Sequence, residues 1–322
     1  MAVYTKIDNQ DLLSLSNSYQ LGKITNFKGI KKGIENTNYL LKANKKKFIL
    51  TIFEKRVKKK DLPFFMGLME KLNQKKIICP KPLKNNKGKH LSKIKNKPAS
   101  IVTFLSGADK ANLNYKNCFD IGKNIAKFHK VTAKIKLHRE NSMSIKKLAG
   151  LLKSIKFKPN KISSKLKPTL NVCLKDIKRQ WPKKLPNGII HGDLFIDNIF
   201  FNKNKFSGFI DFYFSSNDYL MYEIAICINA LCFDKKKNSF LMNHKKVKNL
   251  IDGYESIRPF TKNERNALNI LCRGAALRYL LTRIYDYYNT PKTALIKIKD
   301  PNEYFQKLIF HNNLNNYKDY YK

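Results

Sequence analysis

Between Gln20 and Phe104, apolar and polar positions alternate in short runs: "LGKITNFKGI", "NYLLKA", a polar "NKKK" turn, then "FILTIFE", each bounded by turn residues. A period of two predicts strands. Residues 61–76, "DLPFFMGLMEKLNQKK", interrupt them with apolar positions at helical spacing, an Asp able to cap and a Pro in the first turn. "CPKP" stops that pattern before a hairpin expected around Gly88, and "ASIVTFL" supplies the last strand of the region. After about residue 110 the helical period dominates. "CFDIGKNIAKFHKVT" and "SIKKLAGLLKSI" read as amphipathic helices, with another inside the Lys-rich, Pro-punctuated segment 156–186. "SNDYLMYEIAICINALCF" predicts a helix capped by Ser216 or Asn217, and "TKNERNALNILCRGAALRYLLTRIYDYY" a long one opened by a Thr261/Glu264 capping box. Residues 189–212 read as the strand pair of this half. The prediction is an α+β chain: residues 1–105 form a small antiparallel-sheet lobe with one helix, and residues 106–322 a larger, mostly helical lobe.

Composition narrows the partners. The 322 residues carry 65 Lys and Arg against 23 Asp and Glu, a formal charge of +42. Clustered charge of that size would point to nucleic acid or an anionic membrane surface. Here Lys is scattered through loops and exposed helix faces, Arg is scarce, and Asn and Ile are abundant, the mixture an AT-rich coding sequence produces. No nucleic-acid partner is therefore expected. The six Cys (Cys79, Cys118, Cys173, Cys227, Cys232, Cys272) show no CxxC spacing and read as reduced core residues. "MAVYTKIDNQDLL" lacks a charged-then-apolar leader pattern, and the longest apolar stretch, "LMYEIAICINALCF", is broken by Glu223 and falls short of the ~20 residues a membrane span needs. A cytoplasmic chain without a membrane partner is the expectation.

Against that basic background, "IIHGDLFIDNIFFNKNKFSGFIDF" concentrates His191, Asp193, Asp197, Asn198 and Asp211 in an otherwise apolar run. Its first half fits the catalytic-loop spacing H-x-D-L-x-x-x-N, and Asp211-Phe212 falls where a magnesium-binding Asp would follow. The spacing has a physical reason: phosphoryl transfer needs a carboxylate at the acceptor hydroxyl and oxygen ligands for magnesium, all on rigid backbone. Asp193 would take the hydroxyl proton, Asn198 and Asp211 would hold magnesium, His191 would brace the loop, and Asp197 reads as a turn-former. The bland alternative is a β-hairpin with polar turn residues. Upstream, "FKGIKKGIENTNYLL" offers Gly29, Gly33 and Asn36 to cover ATP phosphates, though a plain hairpin turn reads equally from the residues. "FILTIFEKR" has Thr51 about where a kinase wants a cation, leaving Lys55 or Arg56 at the strand end, with Glu70 on the following helix as a partner or simply an exposed acid. P-loop, zincin and hydrolase-elbow motifs are absent. A strand lobe, a helical lobe and this loop together form the layout of a protein-kinase-like bilobal fold.

The details go further. "IIHGDLFIDNIFF", with "IDFYF" and no activation segment before the next helix, resembles the aminoglycoside-phosphotransferase and choline-kinase group. "FKGIKKGIENTNYLL", "LTIFEKR", "IVTFLSG", "GYESIRPFT" and "RGAALRYLLTRIYDYYNTP" resemble the homoserine kinases of that group, from Met1 to about His311. The resemblance implies ATP- and Mg2+-dependent phosphorylation of the side-chain hydroxyl of L-homoserine, for threonine synthesis, with Asp193 as base and Asn198 and Asp211 as magnesium ligands. Thr51 departs from the wider group's β3 cation, and Glu223 stands where Asp is expected. A zwitterionic acceptor asks for a carboxylate to hold its ammonium and an Arg to hold its α-carboxylate; Asp218 and Glu223 offer the first, Arg278 and Arg283 the second. Two alternatives stay open. One is another acceptor of the group, such as choline in a cage of Tyr213, Tyr219 and Tyr222; the other is a non-catalytic basic protein binding nucleic acid.

Overall fold

The computed structural model describes residues 4–30, 36–54, 57–157, 161–290, 298–314 and 316–321. It divides into two compact units: Met1–Gly107 with Ile135–Arg139 and Ser207–Tyr213, and Ala108–Lys134 with Glu140–Phe206 and Phe214–Lys322.

The first unit is an antiparallel sheet of β1 (Ile24–Gly29), β2 (Thr37–Ala43), β3 (Lys46–Ile52), β4 (Leu91–Ile94) and β5 (Lys97–Thr103), in the order β1-β2-β3-β5-β4. The period of two does what it predicts. Leu41 faces Phe48, and Leu50 faces Ile101 on the next strand, so alternate residues line one buried face. Covering that face is a helix the alternation gave no sign of, α1 (Asn9–Tyr19), which inserts Leu12, Leu15 and Tyr19 and is opened by an Asp8/Asp11 capping box. Among its described residues the unit thus holds two α-helices rather than one, the second being α2 (Leu62–Gln74). Asp61 precedes α2 but makes no cap hydrogen bond; its carboxylate instead accepts from Arg139 Nε at 2.8 Å, and the guanidinium lies over the Phe65 ring. The expected reversal at Gly88 is present, with φ of 71° and Asn85 N–H donating to the Lys89 carbonyl at 2.8 Å, and a second one, between β4 and β5, falls at Lys95 and Asn96, both in left-handed conformation.

The second unit is mostly helical: α3 (Tyr115–Thr132), α4 (Leu148–Ser154), α5 (Lys161–Gln180), α6 (Leu220–Leu231), α7 (His244–Glu255), α8 (Lys262–Asn289) and α9 (Asn302–Asn312). Apolar on all sides, α6 is buried nearly throughout and packs against α8. Its strands are short. β6 (Asn187–Ile190) runs into the His191 loop and β7 (Ile199–Asn202), and β8 (Lys205–Phe209) follows the Lys203-Asn204 turn, its residues from Ser207 onward counting with the first unit. The partner of β6 is β9 (Ser216–Tyr219), so Ser216 and Asn217 are strand residues and α6 starts later, after Tyr219. A further hairpin, β10 (Phe233–Lys236) with β11 (Ser239–Met242), interrupts the helices. Among the described residues no helix is long and apolar enough to cross a membrane.

The expected capping box of α8 is present: Thr261 Oγ1 accepts from Glu264 N–H at 3.2 Å, and Glu264 accepts from Thr261 N–H at 2.9 Å. Thr261→Ala should therefore lower the unfolding free energy by about 1 kcal/mol, read from urea unfolding; an unchanged midpoint would deny the cap that role.

Candidate active site

The loop from His191 to Asn198 follows from its neighbours. Ile189 and Ile190 bury β6, which delivers His191 into the interior, and Gly192 then turns the chain with φ of 78°. A side chain there would be strained by the backbone and would press its Cβ to 3.0 Å from the Phe214 carbonyl. The two peptide groups before Asp193 are held from both ends. Glu223, in the first turn of α6, accepts from His191 N–H and, at 3.1 Å, from Gly192 N–H. From α8, Arg278 Nη2 donates to the Gly192 carbonyl at 2.9 Å and the Tyr279 hydroxyl to the same oxygen at 3.2 Å.

Asp193 emerges with neutral donors at both carboxylate oxygens: Asn198 Nδ2–H reaches Oδ2 at 3.2 Å, and the Tyr279 hydroxyl, whose one proton is shared with the Gly192 carbonyl, lies 3.4 Å from Oδ1. Asn198 also donates to the Asp193 carbonyl at 2.8 Å, across a 3-10 turn that includes Asp197. This fixes the orientation of a half-buried carboxylate in the second unit, with the Arg278 charge in electrostatic reach. His191 is fully buried and acts through its main chain, its carbonyl accepting from Ser215 Oγ–H.

The substrate candidates separate. Glu223 has no exposure, and its oxygens face main-chain N–H groups; it positions the loop and does not hold an ammonium, contrary to the expectation. Arg283 is likewise corrected: Nη1 donates to Glu303 Oε2 at 2.7 Å and to the Asp300 carbonyl at 2.8 Å, and the guanidinium covers the Tyr304 ring, so it anchors α9 to α8. Asp218 and Arg278 remain. On β9, Asp218 accepts from Asn141 Nδ2–H at 2.6 Å; burial raises its pKa, with Asn141 opposing the shift, and Arg278 lies within electrostatic reach.

In the first unit, Gly29 ends β1 opposite Tyr39. Asn36 is buried and accepts from Glu54 N–H at 3.3 Å. Glu70 pairs with Lys84 at 2.7 Å and His90 at 3.1 Å, which hold its carboxyl below the usual range, Lys84 foremost. Gly33 and Lys55 lie outside the described residues. Thr51 is 3% exposed and donates to Asn38 Oδ1 at 2.8 Å. The buried Tyr213 hydroxyl lies against it, its pKa raised by burial and by Asp211, and its ring packs on Phe53 and Phe65. Two residues after Asp211, an aromatic thus fills the space beside the position where a cation was sought. Asp211 itself has φ of 63°, a conformation uncommon outside glycine and concentrated at functional positions. Sequence reasoning missed Tyr279 and Asn141. Each reaches its carboxylate from a distant part of the chain, and no local spacing marks either.

A catalytic-loop carboxylate oriented by the Asn five residues on defines the class. The chain belongs to the phosphotransferase enzyme family, whose sequence model matches residues 26–260. It is 41% identical over 320 residues to a homoserine kinase from Agrobacterium fabrum (strain C58), covering 99% of this chain and 98% of that protein. It is 42% identical over 311 residues to a homoserine kinase from Rhizobium meliloti (strain 1021), covering 97% and 94%. Among solved structures it is similar to amicoumacin kinase hAmiN in complex with AMP-PNP, Ca2+ and Ami (TM-score 0.72, 14% identity, 95% and 92% of the two chains). It is also similar to choline kinase LicA from Streptococcus pneumoniae (TM-score 0.65, 15% identity, 95% and 99%). The fold is the α+β, protein-kinase-like one read from the sequence.

Proposed function

We propose that this chain transfers the γ-phosphoryl group of ATP to the side-chain hydroxyl of L-homoserine, giving O-phospho-L-homoserine and ADP. The observation that carries the reading is a likeness to homoserine kinases running over 99% of the chain. It includes the loop whose geometry suits attack by a hydroxyl. Asp193 accepts the hydroxyl proton as the new O–P bond forms and the bond to the β-phosphate oxygen breaks; Asn198 and Tyr279 hold the carboxylate in line while leaving it charged.

The residues fit magnesium. With Asn198 Nδ2 engaged by Asp193, its Oδ1 remains as a neutral oxygen donor, and the loop spacing assigns the Asp211 carboxylate as the second ligand. Magnesium takes one or two such oxygens plus those of the phosphates, so it needs no closed side-chain cage; among the described residues there is no group of three or more His, Cys, Asp or Glu. When bound, the ion neutralises the charge that develops on the phosphates. By the likeness to homoserine kinases, Gly29, Gly33, Asn36 and Lys55 would serve ATP, and Asp218 and Arg278 the acceptor.

Incubation of the purified chain with ATP, Mg2+ and L-homoserine should yield a phosphomonoester identified by phosphorus NMR as O-phospho-L-homoserine. ADP formation without that product would reject the reading.

A further inference from the structure

Arg278 lies within α8 and is 2% exposed. Its Nη2 is satisfied by the Gly192 carbonyl; Nε and Nη1 complete no hydrogen bond of good geometry, the buried Tyr222 hydroxyl being the neutral group set against the guanidinium, and among the described residues no carboxylate lies within ion-pair distance of it. Its guanidinium rests 4.7 Å from the Tyr279 ring centroid and 5.9 Å from that of Phe214. Aromatic faces offset only part of the cost of desolvating a cation, and taking a charged group out of water with donors left open costs more than they return. Holding the Gly192 carbonyl needs one N–H; a neutral side chain would do it without that penalty. The open donors also sit beside reactive groups, with Asp193 within electrostatic reach and Asp218, half-buried and itself in reach of Arg278, on β9.

We propose that the open N–H groups of Arg278 receive the α-carboxylate of the acceptor amino acid, with Asp218 taking its ammonium, so that Arg278 determines specificity for an amino acid over an amino alcohol. This rests on the homoserine reading. The carboxylate gives the open N–H groups their acceptor, and the acceptor's hydroxyl is carried on the far end of the same small molecule toward Asp193. Discrimination then arises from the penalty left behind: an acceptor without a carboxylate binds but leaves the buried cation unpaired.

The test compares L-homoserine with aminopropanol, which is homoserine without its carboxylate, in the wild type and in R278M and R278K. The wild type should prefer homoserine in kcat/KM by roughly 100-fold. R278M should lose that preference mainly through KM for homoserine, its loss on homoserine exceeding its loss on aminopropanol by a similar factor, and R278K should recover part of it. Equal losses on both acceptors, carried by kcat, would overturn the proposal and leave Arg278 as a support for Gly192. Where R278M does not fold, the wild type decides alone: homoserine carboxamide should show a KM raised about tenfold or more, and an equal KM overturns the proposal. A wild type that turns over aminopropanol and not homoserine rejects the homoserine reading itself and this inference with it.

Discussion

Asp193→Asn should lower kcat by roughly 10²–10⁴-fold while the dissociation constant for ATP changes little. The substitution keeps the size of the side chain and lets Oδ1 still accept from Tyr279, but an amide cannot take the hydroxyl proton. The main-chain hydrogen bonds that hold the loop, from Gly192 N–H to Glu223 and from Arg278 to the Gly192 carbonyl, do not pass through the Asp193 carboxylate, so the fold should be retained. Steady-state turnover and nucleotide titration separate the two quantities. A variant with near-normal kcat would mean that the attacking oxygen loses its proton elsewhere and that Asp193 only orients it.

Glu223→Ala should be the most damaging single change to folding. The carboxylate is fully buried and takes two main-chain N–H groups, His191 and Gly192, with the equally buried His129 Nε2 3.9 Å away. Alanine leaves both N–H groups without an acceptor in a dry site, a cost of about 3 kcal/mol, and frees the peptide that precedes the base. Stability in urea and kcat should fall together, whereas Glu223→Gln, which retains one acceptor oxygen, should recover part of both. If Glu223→Ala instead raised KM for homoserine with unfolding unchanged, Glu223 would be an ammonium ligand after all.

What could be read from the sequence was local. The Thr261/Glu264 box lies within one turn, and His191, Asp193 and Asn198 lie within one loop, so adjacency in the chain already implies adjacency in space. The alternation in β2 and β3 likewise encodes its own buried face. The failures share a cause. Asp61 looked like a cap, but Arg139, 78 residues away, claims its carboxylate. Ser216 and Asn217 looked like a helix start, but β6 needs a partner for its backbone, and β9 provides it. Glu223 and Arg283 carry the charges a zwitterion requires, yet one is drawn inward by open amides and the other by Glu303. In each case a long-range partner outcompeted the local signal, and composition holds no record of which partner that is.

The central claim is tested most directly by magnesium-dependent ADP release measured as kcat/KM across homoserine, serine, threonine, choline, ethanolamine and kanamycin. The expected result is selective turnover of homoserine, with the other acceptors lower by an order of magnitude or more. Selective turnover of choline, ethanolamine or kanamycin would keep the phosphotransferase chemistry and contradict the assignment of the acceptor.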